Sequence, residues 1–270
     1  DMGITHVIRG DDHVNNTPRQ INILKAMGAS LPEYAHVPMI LGADGERLSK
    51  RHGAVSVMQY KEEGYLPEAL INYLARLGWS HGDAEIFSTE QLVEWFDLGH
   101  ISKSPAQFNP GKLLWLNHQY IKSGQDAALA EEISASIRQK GGNLENGPKL
   151  AEVVRLLKDR AGTLHELADA AMLFYRYTPP PADLIRQHVS SEVLPALKQV
   201  AQQFAKIEWQ RTAINEVIKT VVAQQGLKMP KLAMPLRILA AGAAHTPSID
   251  ATLELIGRER VLERLASYTE

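Results

Sequence analysis

The sequence predicts a mostly α protein that opens with a short α/β segment. The stretch Ile4–Met58 mixes two patterns, because Thr5–Ile8 is typical of a strand and Pro18–Met27 is typical of a helix. From Tyr60 onward, apolar residues recur at helical spacing through most of the chain. The many short alternating strands that a β-barrel requires are absent from the sequence. We therefore expect a small α/β part followed by an all-helical body.

Capping residues and prolines divide the helical region. The predicted helix starts, in chain order, are Pro67, the capping box of Ser88 and Gln91, Asn109–Pro110, the capping box of Thr163 and Glu166, Pro230, and Thr246–Pro247. The first of these helices has one apolar face, made of Leu70, Tyr73, Leu74 and Leu77. Pro179–Pro181 is the clearest linker, because consecutive prolines cannot continue a helix.

Length and composition narrow the class of protein. A chain of 270 residues is long enough for about two domains with separate cores. It contains no cysteine, which excludes disulfide bonds. Proteins that coat nucleic acid without sequence preference are usually basic, whereas this chain has a formal net charge of −2. RNA binding would therefore have to use local patches of the surface. The sequence has no signal peptide and no apolar run that could span a bilayer, and we expect a cytoplasmic protein with no membrane partner.

The most informative stretch is Arg47–Gly53, RLSKRHG, directly after the predicted hairpin turn Asp44–Gly45. The apolar run Val37–Leu41 before the turn predicts a buried strand. Because so dense a group of charges is costly to bury, we expect the strand to present a donor-rich loop to a binding site. Lys50 supplies a mobile positive charge for phosphate, and the arginines beside it can bind two phosphate oxygens at once. Taken alone, these residues also fit an ordinary solvated turn.

A second polar loop follows the first predicted strand. That strand ends at Arg9, and Thr17 is the predicted N-cap of the next helix, with Pro18 at its first position. A strand, a polar loop and a helix N-terminus in this order build the ligand crevice of open α/β sheets.

Together these stretches resemble a known family. THVIRGDDHVNNTPRQ followed by HVPMILGADGERLSKRHGAVSV is similar to the second half of the catalytic domain of bacterial glutamyl-tRNA synthetase. RLSKR resembles the KMSKS-type signature of class I aminoacyl-tRNA synthetases. The similarity continues through GYLPEALINYLARLGWSHGD, FNPGKLLWLNHQYI and MPLRILAAGAAHTP, so it covers essentially the whole chain.

The resemblance implies four regions. Residues 1–58 would be the C-terminal part of a Rossmann-type catalytic domain with the KMSKS-like loop, and 59–120 a stem-contact fold. Residues 121–178 and 182–270 would be two subdomains of an all-helical anticodon-binding domain. The HIGH-like signature of the first catalytic half is absent, so we interpret the chain as a C-terminal fragment and expect it to be inactive alone. Some relatives carry zinc in that first half, but no zinc site is expected in this chain.

The implied activity is the attachment of L-glutamate to its tRNA in two steps that use ATP with Mg²⁺. Glutamyl-adenylate forms first, and the terminal ribose hydroxyl of the tRNA then accepts the glutamyl group. Lys50 is the expected catalytic cation. The positions that match ATP-binding positions of the family are Asp12, His13, Met39, Ile40, Arg47, Leu48, Ser49, Lys50 and Arg51.

Three of the matched residues keep an alternative interpretation. Arg9 matches the arginine that binds the carboxylate of the amino-acid substrate, but it also fits a structural ion pair with Asp11 or Asp12. At Asp12 and His13 the family often has a glutamate or a bulkier aromatic residue. By residue type these two also fit a polar loop or a metal site, although no third ligand lies nearby in the sequence.

The resemblance also implies an RNA-reading site. Arg160 matches an arginine that reads the third anticodon base, and Arg237 and Pro247 match positions of the second anticodon-binding subdomain. Bases of a single-stranded loop are read through hydrogen bonds to their edges and through stacking. Without the resemblance, Arg160 and Arg237 would be ordinary arginines on helix surfaces.

Two other classes of protein stay open. One is a non-catalytic tRNA-binding module, and the other is a helical protein–protein scaffold, which would show no salt-dependent affinity for tRNA. The retained VIRGDDH and RLSKR stretches argue against loss of catalysis. The implied partners are the tRNA for glutamate, ATP and L-glutamate, and the expected oligomeric state is a monomer. Whether the tRNA for glutamine is charged as well stays open.

Overall fold

The computed structural model describes residues 2–49 and 56–269. Contacts divide the chain into two compact units, Asp1–Tyr120 and Ile121–Glu270. The predicted mostly α architecture is confirmed, because the described residues form 14 α-helices and only four short strands.

The first unit begins with a parallel strand–helix–strand arrangement. Its elements are strand β1 at His6–Gly10, a 3-10 turn at Asp11–Asn16, helix α1 at Thr17–Ala26 and strand β2 at Glu33–Val37. β1 and β2 pair in parallel, with Arg9 opposite His36. The carboxyl ends of both strands therefore lie at one edge of the sheet, which is where open α/β sheets bind ligands.

The predicted cap of helix α1 is wrong. The N-cap residue is Asn16, which makes no side-chain cap hydrogen bond, and Thr17 is already helical. The Thr17 hydroxyl accepts a hydrogen bond from Arg9 instead. The Thr17 side-chain oxygen, which an N-cap would use to accept a hydrogen bond from the helix backbone, is thus engaged in a tertiary contact.

The apolar run Val37–Leu41 is not one buried strand as predicted. Pro38 lacks an N–H and cannot continue the ladder, so β2 ends at Val37. Strand β3, Ile40–Leu41, belongs to a separate sheet, where it pairs in parallel with strand β4, Ala106–Gln107. Of the five residues in this run, only Pro38 is buried.

Four helices complete the first unit: α2 at Val57–Glu62, α3 at Pro67–Gly78, α4 at Thr89–Trp95 and α5 at Pro110–Ser123. The predicted capping box of Ser88 and Gln91 is confirmed at the start of α4. The core between α3 and α5 consists of Leu70, Tyr73, Leu77, Leu113 and Leu116. The predicted apolar face of α3 is narrower than expected, because Leu74 is 40% exposed.

A buried polar group ties the segment before α4 to helices α3 and α5. Asn72 accepts a hydrogen bond from the Phe87 backbone N–H at 3.2 Å and donates to the Glu85 carbonyl at 3.1 Å. The Tyr120 hydroxyl lies 2.6 Å from the Phe87 carbonyl oxygen and 2.8 Å from the Asn72 side-chain oxygen. Burial, together with the negative charge of Glu68, raises the pKa of Tyr120 to about 12.

The second unit is all-helical over its described residues. Its helices are α6 at Asp126–Gln139, α7 at Leu150–Leu157, α8 at Leu164–Tyr175, α9 at Ala182–His188, α10 at Leu194–Phe204, α11 at Arg211–Gln224, α12 at Met229–Ala241, α13 at Ile249–Ile256 and α14 at Arg258–Thr269. Helices α6, α7 and α8 pack against one another, and α10 to α14 form a second group that α7 contacts through α13. The proline linker separates α8 from α9 as predicted.

The helix ends of this unit differ from the predictions at two places. Thr163 accepts from the Glu166 backbone N–H at 3.2 Å, but the Glu166 carboxylate reaches the Gly162 N–H at 2.7 Å, so only half of the capping box forms. Helix α13 has Ser248 as its N-cap residue, not Thr246. No helix among residues 2–49 and 56–269 combines the length and the apolar character needed to cross a membrane.

Gly242 generates a prediction about stability. Its φ is +74°, and a Cβ there would lie 2.1 Å from the Thr178 carbonyl oxygen. We expect Gly242→Ala to lower the free energy of unfolding by about 1–3 kcal/mol more than Gly226→Ala does, because the added methyl group must displace backbone. Gly226 is the matched control, since its φ is +60° and a Cβ would meet nothing within 4 Å. Urea unfolding followed by circular dichroism measures both, and equal losses would contradict the close approach.

Tyr120 generates a prediction about alkaline pH. Because its pKa is raised to about 12, the unfolded chain loses the tyrosine proton at a lower pH than the folded chain does. The free energy of unfolding is therefore unaffected by this group below pH ~10 and falls as the pH rises through the folded-state pKa. Tyr120→Phe should show a shallower fall over this range than the unchanged protein in urea unfolding. Parallel curves would mean that the hydroxyl ionises equally in both states.

Candidate functional site

The two polar loops singled out in the sequence meet in the structure. Arg47 Nη2 lies 3.6 Å from Asp12 Oδ2, which joins the loop after β1 to the hairpin after β3. The Asp12 carboxylate folds back over Gly10, where a Cβ would lie 2.5 Å from Asp12 Oδ1. Only glycine leaves room for this carboxylate position. The Arg47 side chain is 68% exposed, so its charge faces solvent on the far side of the contact.

The hairpin that carries the basic stretch forms as predicted at the turn Asp44–Gly45. Gly45 has a φ of +78°, and the Glu46 N–H donates to Asp44 Oδ1 at 3.0 Å. Past the turn, the Leu48 N–H donates to the Ile40 carbonyl at 2.8 Å. Ile40 packs against the core cluster between α3 and α5, so the hairpin has a fixed base.

The remaining residues predicted for the nucleotide site have different positions. Met39 is half-buried beside Ile40, and Ser49 is half-buried where the described part of the hairpin ends. His13 Nδ1 lies 3.2 Å from the Asn16 side-chain nitrogen. Lys50 and Arg51 lie outside the described residues.

Arg9 is held on several sides. Its Nη1 donates to Gln20 Oε1 at 2.8 Å, its Nη2 to Thr17 Oγ1 at 2.8 Å, and its Nε lies 3.4 Å from His36 Nε2. The guanidinium also lies 5.2 Å from the centre of the Tyr34 ring. The orientation of Arg9 is therefore set by partners from α1 and β2.

This arrangement contradicts the alternative for Arg9. Among the described residues Arg9 forms no ion pair with Asp11 or Asp12, and the one ion pair recorded for Asp12 is with Arg47. Because each terminal nitrogen of a guanidinium carries two hydrogens, one N–H on each of Nη1 and Nη2 has no partner in the described chain. Two such donors suit the two oxygens of a carboxylate.

Sequence reasoning missed Gln20 and His36 as partners of Arg9. The spacing of Thr17 and Gln20, three residues apart on a helix, places both on one face and is a signal that the sequence contains. His36 had no such signal, because its place opposite Arg9 depends on the register of β1 and β2. Across residues 2–49 and 56–269, no group of three or more His, Asp or Glu side chains is placed to hold a metal ion.

In the second unit, Arg160 ends the 3-10 turn Lys158–Arg160 that follows α7. Lys158 is anchored, because its Nζ lies 2.8 Å from Asp126 and donates to the Gly124 carbonyl at 2.8 Å. Hydrogen bonds from Arg155 and Lys158 hold the pKa of Asp126 below its usual value. Arg160 itself is exposed and makes no recorded hydrogen bond or ion pair with the described residues, so a rigid turn presents a free guanidinium.

Arg237 and Pro247 come together through one intermediate residue. The half-buried Arg237 donates from Nε to Thr246 Oγ1 at 2.8 Å, and Thr246 directly precedes Pro247. The Pro247 ring is buried, and the exposed residues on either side of this pair are His245 and Ser248. Pro247 therefore shapes the loop, and its neighbours form the surface.

Comparison with known families finds a match for each of the two units. The family described as "tRNA synthetases class I (E and Q), catalytic domain" matches residues 1–115, and the "Anticodon binding domain" family matches residues 125–269. These two matches correspond to the α/β part with its following helices and to the all-helical unit. Together they define a class I aminoacyl-tRNA synthetase with a helical anticodon-binding domain.

Individual relatives narrow the family. The chain is 64% identical to glutamate–tRNA ligase of Thiobacillus denitrificans over 98% of its own length, and 61% identical to that of Nitrosomonas europaea over 100%. A crystal structure of glutamate tRNA ligase from Elizabethkingia meningosepticum, in complex with its amino acid, superposes with a TM-score of 0.84 at 29% identity. The chain belongs to the glutamate–tRNA ligase family. The superposition with the crystal structure includes 98% of this chain and 57% of the crystallised chain. The chain spans 56% and 58% of the lengths of the two ligases from Thiobacillus denitrificans and Nitrosomonas europaea.

Proposed function

We propose that the protein containing this chain attaches L-glutamate to the tRNA for glutamate in two steps. ATP and glutamate first form glutamyl-adenylate and pyrophosphate, with Mg²⁺ accompanying the nucleotide. The terminal ribose hydroxyl of the tRNA then takes the glutamyl group. The observation that carries the proposal is the meeting of Asp12 and Arg47, which brings the polar loop after β1 and the KMSKS-like hairpin together inside the part that matches the class I catalytic family.

The nucleotide would bind where these loops meet. An exposed ion pair such as Arg47–Asp12 contributes ~0–1 kcal/mol, so Arg47 can exchange Asp12 for phosphate oxygens at little cost. Lys50 would supply the catalytic positive charge, with Arg47, Ser49 and Arg51 shaping the loop around it. Leu48 would also belong to the ATP site. Asp12, His13, Met39 and Ile40 would face the rest of the ATP. Positioning and charge stabilisation provide most of the catalysis in reactions at phosphate.

Glutamate would bind through Arg9. The guanidinium is oriented by Gln20, Thr17 and His36, and its two unpartnered N–H groups suit a carboxylate. A prepositioned fork loses little conformational entropy when the substrate arrives.

The tRNA anticodon would bind to the all-helical unit. Arg160 would read the third base, and the Arg237–Pro247 region would take the other two. Because the net charge of the chain is −2, such binding depends on local contacts more than on a general positive field. We further propose that the protein acts as a monomer in the cytoplasm.

Two assays test this function in a full-length ligase that contains the sequence. ATP–pyrophosphate exchange dependent on glutamate should be measurable, and the tRNA for glutamate should become charged. Binding of the tRNA without exchange would favour the non-catalytic RNA-binding module instead. Absence of salt-dependent tRNA affinity would leave a protein scaffold as the better explanation.

Lys50 generates the first functional prediction. In the full-length ligase, Lys50→Ala should lower the rate of adenylate formation while tRNA affinity changes little. Loss of one preorganised transition-state donor costs about 2.7–4 kcal/mol, or roughly a hundred- to a thousandfold. Pre-steady-state activation kinetics measure the rate, and Lys61→Ala on the exposed side of α2 serves as the control. An activation rate within about threefold of the unchanged enzyme would make the loop a surface turn.

Arg160 generates the second functional prediction. Arg160→Gln should weaken the discrimination between the tRNAs for glutamate and glutamine more than it weakens charging itself. These tRNAs differ at the third anticodon base, where cytosine offers a carbonyl acceptor and guanine is larger. A guanidinium presented by an anchored turn can bond to the first and crowd the second, whereas glutamine is shorter and uncharged. The expected loss of discrimination is about 1–3 kcal/mol, by analogy with bidentate base contacts.

The measurement for Arg160 is kcat/KM with both tRNAs. A control is Arg138→Gln, which removes the same charge from an exposed position on α6. If both tRNAs lose kcat/KM equally and their ratio stays constant, Arg160 contacts only phosphate or protein.

A further inference from the structure

We propose that Arg211 is a positioning residue for anticodon reading. It would hold the loop 245–248 in the shape that recognises the first and second anticodon bases. The inference rests on the anticodon-reading role proposed above for Arg237 and Pro247, and it adds a residue that forms no hydrogen bond with either of them in the described chain.

Arg211 binds both the residue before helix α13 and the first turn of that helix. Its Nε donates to Asp250 Oδ2 at 2.7 Å, and its Nη2 donates to Ser248 Oγ at 3.2 Å. Its backbone N–H donates to Glu254 Oε1 at 2.7 Å, one turn further along. The start of α11 is therefore fastened to the start of α13 at three points.

The Ser248 hydroxyl accepts a hydrogen bond from Arg211 instead of capping its own helix. Ser248 is the N-cap residue of α13, yet it makes no side-chain cap hydrogen bond to the helix. A serine cap is worth about 1 kcal/mol to a helix, so the contact with Arg211 replaces a favourable local bond. The position of Ser248 is consequently decided by Arg211 and not by helix α13 alone.

Asp250 keeps the charge that this arrangement needs. Its side chain is only 13% exposed, and burial by itself raises the pKa of a carboxyl group. Hydrogen bonds from Arg211, Ser248 and the Ala251 N–H outweigh burial and hold the pKa of Asp250 below its usual value. The carboxylate therefore stays ionised at neutral pH and orients the guanidinium toward Ser248.

The loop between α12 and α13 is thus held from two sides. Arg237 bonds to Thr246 at 2.8 Å on one side of the buried Pro247, and Arg211 bonds to Ser248 on the other. Arg211 also lines a cavity of about 510 Å³ between α7 and α13.

Arg155 provides a matched control on α7. Its Nε donates to Asp126 Oδ2 at 2.9 Å, close to the 2.7 Å of Arg211 and Asp250. The arginine and aspartate side chains are 71% and 20% exposed in this pair, against 55% and 13% in the other. Arg155 lines the same cavity, but within the described chain it forms no hydrogen bond or ion pair with residues 245–248. Its loss removes the same charge without releasing the loop.

The test uses this chain and three synthetic RNA hairpins. One carries the anticodon stem and loop of the tRNA for glutamate, one has its first and second anticodon bases replaced, and one has only its third base replaced. The Kd of each hairpin is measured by fluorescence anisotropy. Arg211→Gln should reduce the discrimination at the first two bases by about three- to tenfold, the range expected when a supporting hydrogen bond is lost. Discrimination at the third base should stay unchanged in this variant, and Arg155→Gln should leave both ratios within about twofold.

A second variant separates positioning from folding. Ser248→Ala removes one contact of Arg211 and leaves the Asp250 pair in place, so thermal unfolding should change little. It should reduce the same ratio, and the double variant should show no further loss, because both changes break the Arg211–Ser248 contact that holds the loop. This non-additivity is a readout that general destabilisation would not produce.

The outcomes are distinct. If the unchanged chain binds all three hairpins equally, the anticodon-reading function fails, and this inference fails with it. If the unchanged chain discriminates and both Arg211→Gln and Ser248→Ala discriminate equally well, the function stands and the positioning role is wrong. Equal losses in Arg211→Gln and Arg155→Gln would also overturn it, because they would indicate a general charge effect.

Discussion

The packing of Tyr73 between two chain segments is the constraint on which the catalytic part of the structure depends. Its ring meets Phe108 edge-on at 5.3 Å, and its hydroxyl lies 2.6 Å from the Asn109 backbone nitrogen. The Phe108 N–H in turn donates to the Leu41 carbonyl at 2.8 Å, at the base of the hairpin. The base of the hairpin is therefore attached to a buried apolar core, and this core holds in place the loop that carries several charges. Burial of a large aromatic side chain such as that of Tyr73 contributes about 1.5–3 kcal/mol to stability.

The arginines of the two units fall into two physical groups. Arg9 and Arg211 are fixed by several hydrogen bonds each, from partners on neighbouring elements. Arg47 and Arg160 are exposed. Arg47 has one long ion pair, and Arg160 has no hydrogen bond or ion pair within the part of the chain that the structure describes. A fixed guanidinium offers geometry, whereas a free one can move to a ligand that arrives later. This division agrees with the proposed roles. Arg9 and Arg211 would orient a carboxylate and a loop, whereas Arg47 and Arg160 would bind a phosphate and a base.

Local stability in the second unit also comes from contacts between distant residues. Asp126 joins two basic residues of the α7 segment, and Glu166 reaches back to the Gly162 N–H. Gly242 lets the chain after α8 approach the end of α12 more closely than any side chain would allow. The surfaces proposed for RNA are therefore loops on a rigid helical scaffold, which is where recognition residues are commonly found.

The sequence by itself determined the class of the fold, most helix starts and the hairpin turn, because these depend on neighbours a few residues apart. Proline and glycine positions, helical periodicity and the capping box at Ser88 are such local signals. The resemblance indicated the family, which the comparisons confirm, and it named the site residues, whose roles stay predictions. Only the tertiary structure decided where Pro38 divides the apolar run, why Thr17 contacts Arg9 instead of capping α1, and why Ser248 contacts Arg211. At Thr17 and Ser248 a partner far away in the chain takes the oxygen that a local cap would use, and after Pro38 the residues Ile40–Leu41 pair with the distant strand β4. Local sequence carries no information about how close such partners lie.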